Sequence, residues 1–118
     1  MKKYLPIALS LVFAFSAFAK RTEPNPVPTL KIGNIKIVVP NDNGFRGYVE
    51  ARDKTSDEKL WDKTIYKVWK NPFKESDVQW IFIKSISEQD GKVIITDERN
   101  RKYSLDPKSK KVQKIKQN

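Results

Sequence analysis

The side chains that could do chemistry are few. The 118 residues include no histidine and no cysteine, which removes the usual general base near neutral pH, the commonest thiol nucleophile and most zinc or copper ligand sets. Carboxylates remain, grouped as Asp97-Glu98 and as Asp53-Asp57-Glu58. Two close carboxyl groups could act as acid and base in a hydrolysis, but both groups fall on segments that read as turns, where a solvated charged loop is expected. The spacing Asp53-x-Thr55-x-Asp57 matches the opening of a calcium loop, yet the mid-loop glycine is missing and position twelve would be Thr64, so no calcium site is assigned. The expectation is a protein that is not an enzyme, with no catalytic residue, cofactor or metal.

Charge says more. Lys and Arg number 24 against 14 Asp and Glu. Over 99–118 the bases Arg99, Arg101, Lys102, Lys108, Lys110, Lys111, Lys114 and Lys116 face the single acid Asp106, so this segment carries +7. With Lys2 and Lys3 lost in a cleaved leader, the remaining chain carries +8 and residues 20–98 only +1. Lysines in a row without interleaved rings attract polyanions by counterion release and read no sequence. In an exported bacterial protein those polyanions are lipopolysaccharide phosphates, acidic lipids, wall polymers and extracellular nucleic acid. The competing explanation needs no partner: lysines on a terminal edge strand prevent edge-to-edge pairing and keep a β protein soluble.

Trp61, Trp69 and Trp80 would form a stacking platform for sugars or bases if they shared an open face. Trp61 and Trp80 sit among apolar neighbours and are expected in the core. Trp69, between Lys67 and Lys70 and next to Asn71-Pro72, is expected at the surface.

The elements that must position these groups follow from punctuation and alternation. Residues 1–19 have two lysines, an apolar middle and the ending Ala17-Phe18-Ala19, the pattern of a Sec-type secretory signal peptide, too short for a membrane span. No cysteine follows it, which excludes a lipid-modified lipoprotein, and a cysteine-free exported chain rich in Lys, Asn and Ile fits a bacterial periplasmic or secreted protein. Residues 20–29 hold Pro24, Pro26 and Pro28 and read as a stiff linker or edge segment.

From residue 30 to 118 the reading is a single all-β domain. Leu30 to Val39 is strand-like, with a bulge or tight turn at Gly33-Asn34. Gly47 to Trp69 is the central hairpin, its polar turn held by Asp53 and Ser56 side chains bonding to turn amides. Val78 to Ile86 is apolar on both faces and is expected as a central strand. Asp90-Gly91 is a hairpin signal, Glu98 to Arg101 and Asp106 to Ser109 are turns, and Val112 and Ile115 mark a last strand prone to fray. Seven or eight antiparallel strands result, a meander of two four-strand units packed as a sandwich or closed as a small barrel, with a basic C-terminal edge or tail.

One stretch carries a family resemblance. Ala51-x-Asp53-x-x-Ser56-Asp57-x-x-Leu60-Trp61 resembles the A-x-D-x-x-T-G-x-x-x-W repeat of quinoprotein-type (PQQ-like) β-propellers, with Ser for Thr and Asp for Gly. A weaker copy lies 53 residues later, where Asp106 answers Asp53 and Ser109 answers Ser56 without a following tryptophan. The resemblance implies that the motif residues Ala51, Asp53, Ser56 and Trp61 are structural, with Trp61 packing between blades. It implies no quinone site, and two blade-sized units fall short of the four or more that a propeller needs. The functional expectation is an exported binding or structural protein. Its partner would be an anionic envelope polymer or another protein; the alternative is a carboxylate-dependent hydrolase or an enzyme inhibitor.

Overall fold

Turn chemistry sets the strand boundaries in a computed structural model that describes residues 23–75 and 77–116. The expected leader lies outside the described residues. β1 (Leu30–Ile32) and β2 (Ile35–Val38) meet at Gly33-Asn34, where Gly33 adopts φ 59. That is the first central position of a two-residue hairpin turn, where glycine alone is free of strain. β3 (Arg46–Asp53) and β4 (Lys59–Lys67) form the central hairpin, and β2 completes the pairing with Ile37 opposite Ala51.

The second half repeats the plan with β5 (Ile83–Gln89), β6 (Lys92–Asp97), β7 (Lys102–Leu105) and β8 (Val112–Ile115). Asp90 and Gly91 both take positive φ, 53 and 78, the turn whose twist matches the flanking strands. The result is two four-stranded antiparallel sheets, each a meander in sequence order. Each sheet keeps two open edges, so the arrangement is two packed sheets and not a barrel.

The sheets share one core. Ile37, Val49 and Ala51 of the first sheet are excluded from water together with Val93, Ile95 and Leu105 of the second. Each fully buried aliphatic side chain contributes about 1.5–3 kcal/mol, and no disulfide assists. Among the described residues the core and the side chains packed on it lie between Val27 and Val112. Tyr66 ties the halves: its hydroxyl donates to the Ile81 carbonyl at 2.6 Å, and its ring stacks on Tyr103 at 5.5 Å. Gly47 makes room for that ring, since a Cβ there would stand 2.2 Å from Tyr66.

Several expectations need correction. Val78 to Ile86 is not a central strand: Asp77–Gln79 is a 3₁₀ turn, and β5 begins only at Ile83 and is an edge of its sheet. Only Ile81, Phe82 and Ile83 of this stretch are buried, at the crossing between sheets, where the Ile81 amide donates to Gly44 and the Phe82 amide to the Glu98 carboxylate; Val78 is exposed. Trp80 is only partly buried, seated against Gly44 and edge-on to Phe82. β8 pairs with β7 from Val112 to Ile115. The segment 23–29 forms no strand, and its Val27 packs on the core.

Candidate functional site

The two motif turns are built alike. The Asp53 carboxylate accepts the amides of Thr55 and Ser56 at 2.8 and 2.9 Å, and the Ser56 hydroxyl accepts the Glu58 amide at 3.3 Å. The Asp106 carboxylate accepts the amides of Lys108 and Ser109 at 2.9 and 3.4 Å, and the Ser109 hydroxyl accepts the Lys111 amide at 3.3 Å. The left-handed residue of each turn matches too, Asp57 at φ 65 and Lys110 at φ 64. Both aspartates are held below their ordinary value by amide donors, Ser56 then Thr55 for the first and chiefly Lys108 for the second.

The strands entering those turns nevertheless bury opposite faces. In β3 the residues two and four before Asp53, Ala51 and Val49, are buried. In β7 the residues one and three before Asp106, Leu105 and Tyr103, are buried instead. Trp61, opposite Ala51, therefore leans on the core and meets the second turn, with the Lys110 ammonium 5.3 Å from its ring centroid.

The fold divides the eight C-terminal bases, and only Lys114 lies on the edge strand β8. Arg101 is spent internally: its Nε donates to Asp97 Oδ2 at 2.8 Å and its guanidinium stands 5.9 Å from the Tyr66 ring centroid. Lys102 donates to the Thr96 hydroxyl at 2.9 Å. Lys108, Lys110 and Lys111 lie in the turn at one end of the molecule, while Arg99 and Lys116 lie at the other and Lys114 sits on β8 between them. Among the described residues none of Lys108, Lys110, Lys111, Lys114 and Lys116 has an ion-pair partner. In the first sheet Glu50 pairs with Arg52, Asp57 with Lys36 at 2.8 Å, and Asp62 with Lys59 at 2.7 Å. β8 is four residues long, about 13 Å, so its end groups are separated by more than the roughly 8 Å screening length at physiological salt.

Asp97 overturns the expectation that the carboxylates are all solvated on turns. It ends β6, is fully buried, and accepts the amides of Arg99 and Arg101, the Arg101 guanidinium and the Tyr103 hydroxyl at 3.1 Å. With both oxygens occupied by donors, it organises the 98–101 turn and has no lone pair directed at a cleft. The sequence signal for it is an aspartate at a strand end followed four residues later by Arg and six later by Tyr. Among the described residues no group of three or more His, Cys, Asp or Glu could hold a metal, and no helix is long and apolar enough to cross a membrane.

A cavity of 530 Å³ lies between the proline segment and the crossing, lined by Pro24, Pro26, Val27, Asn41, Trp80 and Phe82 among others. The Asn41 side chain closes one wall by pairing with both backbone groups of Ile83, at 2.9 and 3.1 Å. The tryptophans do not form a shared platform: Trp61 is at the turn end, Trp80 in this cavity, and Trp69 stands 78% exposed on the connection between sheets. No protein-family model, curated protein or solved structure matches the chain.

Proposed function

We propose that this chain is an exported, non-enzymatic binding module that holds anionic polymers along strand β8, the turn that precedes it and Lys116. The observation that supports this is the unpaired state, among the described residues, of Lys108, Lys110, Lys111, Lys114 and Lys116, set against acids of the first sheet that are neutralised by their own cations. Edge protection accounts for a lysine or two on a four-residue strand; it does not account for three more on the turn that precedes it. Attraction of this kind is driven by counterion release, reads charge density and weakens steeply with salt.

Heparin affinity of the chain starting at Lys20, titrated with salt, tests it. Truncation at Lys108 would remove β8 and its pairing with β7, so substitution is the cleaner probe. Replacing Lys108, Lys111, Lys114 and Lys116 together by Ala should flatten the slope of log affinity against log salt by about three, roughly 0.7–0.9 for each of the four anionic groups no longer neutralised. An unchanged slope would refute the reading.

The likeness to propeller repeats bears on the scaffold. Two turns with the same hydrogen-bond pattern and a Trp61 ring set against the second of them support reading the sheets as two docked repeats.

A further inference from the structure

The connection between the sheets carries a second surface of different chemistry. Trp69 is 78% exposed, Phe73 94% and Val78 65%, the largest exposures of large apolar residues among the described residues. Isolated exposed apolar residues are ordinary; here all three belong to the one connection between the sheets.

The connection is braced. The Gln79 side chain accepts the Asn71 amide at 2.6 Å and donates to the carbonyls of Asn71, Lys74 and Glu75 at 3.0, 3.1 and 3.0 Å. Asn71 in turn accepts the Phe73 amide at 2.9 Å, and the Val68 amide donates to Phe45 at 2.8 Å. One partly buried glutamine thus satisfies the loop's backbone, and the rings are left in water by a shape that the loop is held in.

Cations accompany these residues along the chain. Lys67, Lys70 and Lys74 alternate with them, against Glu75 and Asp77 in the same stretch, and the Lys70 ammonium stands 5.5 Å from the Phe45 ring centroid. The patch lies at the end of the molecule where β4 leaves at Lys67 and where Arg101 reaches Tyr66. Lys102 pairs with Ile115 at that end too, which brings Arg99 and Lys116 to the same side. Two aromatic rings offer about 400 Å², roughly half of the 800 Å² per partner that a stable protein interface needs. A bilayer asks for less: a few amphipathic rings at the headgroup boundary, with lysines whose stems lie along the lipid and whose ammonium groups meet lipid phosphates.

We infer that the Trp69–Phe73–Val78 connection is an anchor for the interface of an anionic lipid bilayer. This site is separate from the β8 lysines and relies on insertion as well as charge. The probe is vesicles of phosphatidylcholine with 30% phosphatidylglycerol, added to the chain starting at Lys20. Binding should be retained in part at 0.5 M NaCl, with a blue shift of tryptophan emission that the Trp69→Phe variant lacks. The double variant Trp69→Ser/Phe73→Ser should lose vesicle affinity tenfold or more while keeping its melting temperature and its heparin retention.

Unchanged vesicle binding by the double variant would overturn the inference, as would no binding by the unsubstituted chain, the outcome expected if the patch meets a protein. Vesicle binding lost in the β8 lysine variant and kept in the loop variant would also overturn it, leaving the polyanion reading intact. Conversely, heparin retention without dependence on the lysines would sink that reading and leave this one standing.

Discussion

The Lys110 ammonium stands 5.3 Å from the centroid of the Trp61 ring, joining the left-handed residue of the second motif turn to the tryptophan that follows the first. Lys110 holds φ 64, a region that costs a β-carbon-bearing residue on the order of 1 kcal/mol. Replacing Trp61 by Ala should destabilise the fold by about 2–3 kcal/mol, below the range for a fully buried tryptophan because the ring is partly exposed. Lys110→Gly should be close to neutral, since relief of the left-handed conformation offsets removal of a cation–π attraction of about 0.5–1 kcal/mol. Urea unfolding of both variants checks the pair; an equal loss in each would mean that the lysine, not the ring, carries the docking.

Asp97→Asn should cost about 2–4 kcal/mol, because it removes a buried charge partner of Arg101 and presents an amide NH₂ to donors already in place. Asp97→Asn/Arg101→Met should recover part of that loss, since no uncompensated guanidinium remains. A denaturation cycle over the two single variants and the double variant measures the coupling.

Asp53→Ala and Asp106→Ala should each lower the melting temperature, and Asn at either position should restore most of it by offering the same oxygen to the turn amides. The sign with pH follows from carboxyls held below their ordinary 3.8. Their contribution is whole above that value and disappears as pH falls through the lower folded value. The gap between each Ala variant and the unsubstituted protein should therefore be wide at pH 7 and narrow as pH falls below 3.8.

Stability should fall between pH 10 and about 12. Burial, reinforced by the Asp97 carboxylate, pushes the Tyr103 hydroxyl up from 10.0 to about 12, and burial with the Asp42 hydrogen bond does the same for Tyr48. A raised folded value means that the unfolded chain releases these protons first, so stability is intact below 10 and declines above it. Tyr103→Phe should make the decline shallower in chemical denaturation at pH 9, 10.5 and 11.5.

Gly47→Ala should destabilise by about 1–3 kcal/mol or more, because the added Cβ would lie 2.2 Å from the Tyr66 ring and the ring cannot yield without losing the Ile81 hydrogen bond. Gly47→Ala/Tyr66→Ala should be less than additive in thermal melts, since the clash partner is gone.

The eight-strand plan was legible because local chemistry decided it. Alternation drew the central hairpin, Gly33 and Asp90-Gly91 supplied positive φ, and Asp53 and Ser56 closed their own turn. Val78 to Ile86 misled because apolar residues on both faces have two origins, a central strand or a crossing wedged between sheets. Only distant partners, Tyr66 for Ile81 and Glu98 for Phe82, distinguish them. Asp97 was hidden for a similar reason: it opens the polar run Glu98-Arg99-Asn100, and its burial depends on Arg101 and Tyr103 folding back over it. In the basic segment the sequence revealed the charge, while the division between internal and free cations waited on which lysine met Trp61 and which arginine met Asp97.

The shared core has a consequence for the order in which the molecule can assemble. The core that holds Ile37, Val49 and Ala51 of the first sheet also takes in Val93, Ile95, Tyr103 and Leu105 of the second, so it is complete only when Leu105 is in place. A chain delivered from its N-terminus must therefore hold a greasy, half-made sheet until almost its whole length has emerged. Such a polypeptide is poorly able to lock shut prematurely.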